Sequence, residues 1–141
     1  MTRAFLPLLL ASSTKVILNV TSAGAHRITP GASAYQTSKL ALCRFTEFTV
    51  NDHGKEGIIA ISVHPGGVKT ELAYGMPEYM HEVLTDTPEM AGDGMVWYGG
   101  ERREWLSGRY VSCAWDVTEL EGKTLTILDG DLLKVRMAVE F

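Results

Sequence analysis

Two short apolar runs, separated by a loop and one helix-length segment, constrain this chain more than any other feature. Lys15 to Thr21, centred on Val16-Ile17-Leu18, is rich in β-branched residues and reads as a buried strand. Ile58 to Val63 reads as a second. Between them, Ser22 to Ser33 is a loop punctuated by Gly24, Pro30 and Gly31. A helix begins at Ser33 or Ala34 and runs to about Asp52, where Asn51-Asp52-His53-Gly54 is a stop signal. Strand, helix and strand in this order close as a parallel, right-handed crossover. The expected class is therefore α/β, with about three parallel strands and flanking helices. Gly108 to Cys113 is the third strand. Ligands in open sheets of this kind bind at the carboxyl ends of the strands, which places the loop after Val20 and the turn after Val63 at the site.

The remaining chain is read around that unit. Thr2 to Ser12 is an apolar helix with Pro7 inside it, which implies a kink or a late start. The helix from about 34 to 52 carries Leu40, Leu42, Cys43, Phe45, Phe48 and Val50 on more than one face, so burial on two sides is expected. Tyr74 to Leu84 is rich in Met and Tyr. Thr87-Pro88-Glu89 is a helix start with proline in the first turn, and Gly99-Gly100 ends that helix. Leu125 to Val139 is a mixed apolar and charged tail, an extended arm or short helix. One domain is expected over 1–141, with the strand–helix–strand unit in 1–73, a helical segment 74–107, and a last strand and tail 108–141.

Composition excludes several classes of function. A net charge of −4 gives no reason to expect nucleic acid or an anionic membrane as partner. Ala4 to Ala11 is too short to span a bilayer and is broken by Pro7, and no cleavage site marks a signal peptide. Cys43 and Cys113 form no disulfide framework and have no metal-ligand spacing, so no metal and a cytoplasmic setting are expected.

The chemistry is concentrated between Ser22 and Lys39. Tyr35 and Lys39 stand at i and i+4 and share a helix face, directed toward the loop that carries Ser22. A tyrosine phenol is ordinarily neutral at pH 7, with a pKa of about 10. An ammonium one turn away favours the phenolate and lets it exchange protons with a substrate oxygen near neutral pH. A serine hydroxyl can hold the same oxygen.

This Ser22, Tyr35-x-x-x-Lys39 arrangement resembles the active site of the short-chain dehydrogenase/reductase family. His64-Pro65-Gly66-Gly67-Val68-Lys69-Thr70 resembles the family's Pro-Gly-x-Val-x-Thr segment, and Trp105 to Asp116 resembles the ends of fungal members. The resemblance implies a partial Rossmann-like fold, with Tyr35 as acid/base, Lys39 supporting it and binding the nicotinamide ribose, and Ser22 orienting the carbonyl or hydroxyl. It implies that Pro65, Gly66, Val68 and Thr70 face the nicotinamide of NAD(P). His26, Tyr74 and Met76 are candidates for the substrate pocket, although His26 also suits a solvated loop. It also implies a homodimer through helix 34–52, with the exposed strand 16–20 as the alternative.

The resemblance covers nearly the whole chain but only the carboxyl half of the family's seven-stranded sheet. The Gly-x-x-x-Gly-x-Gly turn, which holds dinucleotide phosphates at a helix N-terminus, has no counterpart here. Nor have the Asn-Asn-Ala-Gly segment and the helix asparagine. NAD(P) affinity is therefore expected to be weak or absent in the isolated chain, and the strand at 16–20 is expected to present an open edge. Three functions stay open. One is NAD(P)-dependent carbonyl/alcohol chemistry with a complementing chain. Another is cofactor-independent isomerase, cyclase, dehydratase or lyase chemistry by Tyr35, Lys39 and Ser22 in fungal secondary metabolism. The last is non-catalytic binding to a full-length relative. The substrate of either enzyme would be a small molecule.

Overall fold

The computed structural model describes residues 1–139; the last two residues of the 108–141 segment lie outside the described residues. Three parallel strands form one sheet in the order β1 (Val16–Val20), β2 (Ile59–His64), β3 (Tyr110–Ser112). Val16 stands opposite Ile59 and Val20 opposite Val63; Ser62 stands opposite Tyr110 and His64 opposite Ser112. The helices are α1 (Thr2–Ala11), α2 (Ser33–His53), α3 (Glu71–Tyr74), α4 (Pro88–Gly100), α5 (Val117–Gly122) and α6 (Thr124–Asp129). Helix α1 contains Pro7 as expected, and the expected start of α4 is capped by the Thr87 side chain. Helix α4 runs through Gly99-Gly100 rather than stopping before them. The tail combines both expected forms, a short α6 followed by an extended arm.

Burial follows from strand position. Ile59 to Val63 of the central strand are all buried. Ile59, Ile61 and Val63 face one side and form an apolar core with Tyr98, Leu106 and Val111. The opposite side is polar. There Ser62 Oγ donates to Thr46 Oγ1 at 2.8 Å and Asn19 Nδ2 donates to the same oxygen at 2.9 Å, while Thr46 Oγ1 donates to Leu42 O at 2.9 Å. Thr21 Oγ1 donates to Lys39 O at 3.0 Å.

Helix α2 corrects the expectation of burial on two sides. Its buried residues are Gln36, Cys43, Thr46 and Thr49, whereas Phe45 is 45% and Phe48 57% exposed. Small and hydroxyl-bearing side chains allow the helix to lie close on the sheet, and the bulky apolar ones are turned outward. Helix α1 buries no residue, and Phe5 and Leu8 are exposed. A cleft of about 620 Å³ therefore lies open between α1, β1 and α2, lined by Phe5, Leu9, Val16, Leu18, Leu42 and Phe45.

The two sheet edges are treated differently. At β3, the tail lies across the edge: Tyr110 N donates to Leu133 O at 2.7 Å and the buried Arg109 pairs with Asp131 at 3.1 Å. Glu47 on α2 accepts from Val135 N at 2.8 Å and holds the arm down. At β1 the outer edge has no strand beside it among the described residues.

Thr46 is the joint between α2, β1 and β2. Replacing it with valine keeps the volume but removes the acceptor shared by Asn19 and Ser62. The loss of an acceptor for buried donors costs about 1–3 kcal/mol per group. We expect Thr46→Val to lower unfolding stability by about that amount in denaturant titration, with Thr46→Ser close to the parent.

Candidate active site

Ser22, Tyr35 and Lys39 come together at the carboxyl end of β1. Ser22 caps a single 3₁₀ turn, Ala23–His26, with its Oγ accepting from Gly24 N at 3.0 Å. That bond uses a lone pair and leaves the hydroxyl hydrogen free to donate. A Cβ built on Gly24 would lie 3.2 Å from Ser22 Oγ and 3.6 Å from Tyr35 Cε1, so the two side chains flank one small residue. Tyr35 is 41% exposed. Lys39 Nζ lies 5.6 Å from the centroid of the Tyr35 ring and donates to Val20 O at 3.0 Å. The expected helix face is thus formed, and the ammonium is held by the end of β1.

The loop between Ser22 and Tyr35 is fixed by a contact the sequence did not announce. Gln36 is buried; its Oε1 accepts from Thr29 N at 3.0 Å and its Nε2 donates to Thr29 Oγ1 at 2.9 Å. A seven-residue separation in a glycine-containing loop carries no local signal for this pairing. His26 is exposed at the loop's tip and meets Tyr110 edge-on, with ring centroids 4.6 Å apart. Tyr110 in turn meets Trp115 at 5.9 Å. Burial, then the neighbouring Cys43 thiol, pushes the Tyr110 phenol up to about 12, so it stays protonated.

The Pro65-Gly66-Gly67 turn follows β2 directly, on the strand adjacent to Ser22. Gly66 has φ +102°, in the left-handed region that favours glycine. A Cβ on Gly67 would lie 2.1 Å from Val83 O. The close approach is held by Asp86: Gly67 N donates to Asp86 Oδ2 at 2.6 Å, and Asp86 N donates to Gly67 O at 3.0 Å. Val68 and Asp86 form a parallel bridge. The segment between them is therefore a loop pinned at its base. Sequence reading missed Asp86, which stands nineteen positions beyond Gly67 with no local pattern to mark it.

Thr70 Oγ1 accepts from Ala73 N at 3.1 Å and caps the short helix α3. Tyr74 and Met76 sit further out in the pinned loop. Tyr74 packs edge-on against His81 at 5.5 Å, and a His81 ring nitrogen is 3.0 Å from Met76 O. The structure places these two beside His81, while His26 lies edge-on to Tyr110.

His64 occupies the junction of β2 and the turn. Its Nδ1 is buried without a hydrogen-bond partner among the described residues. Burial lowers its pKa below the usual histidine value, opposed by the Asp86 carboxylate and reinforced by Arg27. Among the described residues no group of His, Cys, Asp or Glu is arranged to hold a metal ion. No helix is long and apolar enough to cross a membrane, again among the described residues.

A parallel sheet flanked by helices, with a hydroxyl, a phenol and an ammonium at the carboxyl end of one strand and a Pro-Gly turn on the next, defines an α/β protein whose candidate site lies where ligands bind in open sheets of this kind. The comparisons give the family. Residues 1–79 match the short chain dehydrogenase family, and the chain belongs to it. A short chain dehydrogenase of Monascus ruber is 50% identical over 139 residues, covering 99% of this chain and 48% of that protein. One from Emericella variicolor is 44% identical over 138 residues, covering 98% and 48%. The chain thus spans about half the length of these fungal relatives. Among solved structures, 7α-hydroxysteroid dehydrogenase complexed with NADH and 7-oxo glycochenodeoxycholic acid matches with a TM-score of 0.69 at 18% identity. The match covers 79% of this chain and 47% of that one. NADPH-bound carbonyl reductase from chicken fatty liver matches at 0.66 and 23%, covering 79% and 48%. At these identities the two show the fold.

Two outcomes follow from this geometry. Gly67→Ala drives a methyl group into Val83 O, so the base of the loop must open; we expect faster limited proteolysis within residues 70–84. The second concerns His64, whose pKa is lowered in the folded chain relative to about 6.5 when unfolded. As pH falls through that value the unfolded chain takes up protons first, so stability falls. We expect the melting temperature to drop between pH 7 and pH 5, and the drop to shrink in His64→Gln.

Proposed function

We propose that this chain is the proton-handling portion of a short-chain dehydrogenase acting on a carbonyl/alcohol pair, active when a complementing polypeptide completes the nucleotide site. The observation that carries the reading is the placement of Ser22 and Tyr35 on either side of Gly24, with the Lys39 ammonium beside the Tyr35 ring, at the carboxyl end of β1. In carbonyl reduction the Tyr35 phenol donates its proton to the substrate oxygen as the C=O becomes C–OH. The free hydrogen of Ser22 Oγ donates to the same oxygen and fixes its position. The Lys39 ammonium stabilises the phenolate that remains, and proton return to Tyr35 resets the site. In alcohol oxidation the proton moves the other way. General acid–base help of this kind is worth about 10²–10⁴-fold.

The residues present fit one end of NAD(P). The Pro65-Gly66-Gly67 turn presents backbone at the end of β2, where the resemblance places the nicotinamide, and Lys39 stands one strand away. The phosphate end is different. No Gly-rich strand-to-helix turn occurs in this sequence. When bound, NAD(P)H supplies hydride to the carbonyl carbon. The fit is partial, and the isolated chain should bind the nucleotide weakly.

The outward face of α2, with Phe45 and Phe48 exposed, suits packing against a second copy, which supports the homodimer reading. The deciding experiment is a nicotinamide fluorescence titration of the chain alone and of the chain co-purified with the unmatched half of the Monascus ruber relative. We expect binding and carbonyl reductase turnover only in the complex, with Tyr35→Phe lowering turnover by about 10²-fold or more. Turnover that needs no nicotinamide yet disappears in Tyr35→Phe would overturn the hydride reading in favour of isomerase or lyase chemistry.

A further inference from the structure

The ammonium of the central lysine and the open edge of the sheet share one atom. Along β1, Thr21 N donates to Val63 O and Lys15 O accepts from Ile59 N, so the odd-numbered residues pair with β2. Backbone groups alternate sides along a strand, so the N–H and C=O of Val16, Leu18 and Val20 point to the open edge. The outermost of these carbonyls, Val20 O, is where Lys39 Nζ donates at 3.0 Å. An unpaired edge carbonyl is a ready partner for an incoming strand. Here it is already taken by a cation.

We infer that strand addition at β1 and release of Lys39 are a single coupled event, so that completing the sheet arms the site. The occupant is a strand from the half of a family member that this chain does not match. Three observations select it. The β3 edge is covered by the tail through Tyr110 and Leu133, leaving β1 as the edge to extend. The cleft beside β1 is mostly apolar, through Phe5 and Leu9 of α1 and Leu42 and Phe45 of α2, with Arg3 and Asn19 also in its lining, which suits a largely apolar strand, as parallel strands are. The relatives carry about as much chain again as the part matched here. When the strand's N–H takes Val20 O, the ammonium is displaced. It lies 5.6 Å from the Tyr35 ring centroid, within a side-chain rotation of the phenol it serves. Until then Lys39 is a plug on the edge. Lys39 thus has a regulatory role besides the one given to it above, and the inference rests on the complementation reading.

Linkage makes this testable without activity: if the strand must displace Lys39, removing the ammonium strengthens strand binding. The tagged unmatched half of the Monascus ruber relative is co-expressed in limiting amount with the parent chain and a variant. Mass spectrometry of the captured complex then gives the ratio of the two. We expect Lys39→Met and Lys39→Gln to be captured about fivefold over the parent, the low end of coupling between two sites. Lys39→Arg, which keeps the cation, should be captured equally. A variant that folds poorly would be captured less, so misfolding cannot imitate the expected result. Equal or lower capture of both neutral variants overturns the coupling while leaving complementation intact. Failure to capture any chain, the parent included, overturns complementation and the coupling with it.

Discussion

The structure depends on how closely α2 can lie on the sheet. Thr46 brings three elements to one oxygen, accepting from Asn19 on β1 and Ser62 on β2 while donating to its own helix at Leu42. Thr21 adds a second tie through Lys39 O. These bonds fix the height and rotation of α2, and with them the direction of Lys39 and Tyr35, about two and three turns earlier. The site is therefore set by the polar face of the sheet, whereas the apolar face, built on Ile59, Ile61, Val63 and Tyr98, supplies most of the burial.

A second constraint is the asymmetry of the edges. The tail crosses β3 and is anchored by Arg109, Asp131 and Glu47, so that edge is closed by the chain itself. The β1 edge is left with an apolar cleft and a row of outward backbone groups. Parallel strands are normally covered on both faces and paired on both sides. β1 is covered loosely by α1, which buries no residue, and its terminal carbonyl is satisfied by a lysine side chain. The open sheet edge and the Ser22, Tyr35 and Lys39 group are thus neighbours.

The pinned loop completes the site on the β2 side. Gly66 and Gly67 allow a backbone approach that no side chain would permit, and Asp86 closes it with two reciprocal bonds. Beyond the pin, Thr70 caps α3 through Ala73 N, and His81 joins the Tyr74 ring to the Met76 carbonyl. Its contacts are local, which separates what this loop presents to a ligand from what holds the fold together.

Much of this was written in the chain. β-branched runs at 16–20 and 58–63 with a helix between them determine a parallel unit, and Tyr35 and Lys39 four apart must share a face. The helix start at Thr87-Pro88-Glu89 was local and legible in kind. The inward face of α2 was not, because hydrophobicity alone assigns Phe45 and Phe48 to the core. A helix lying close on a sheet instead needs small side chains there, and that distance exists only in the assembled fold. The partners Gln36–Thr29, Gly67–Asp86 and Lys39–Val20 were likewise decided by tertiary structure. Sequence sets which groups can donate and accept; only the folded chain brings a particular donor within 3 Å of a particular acceptor.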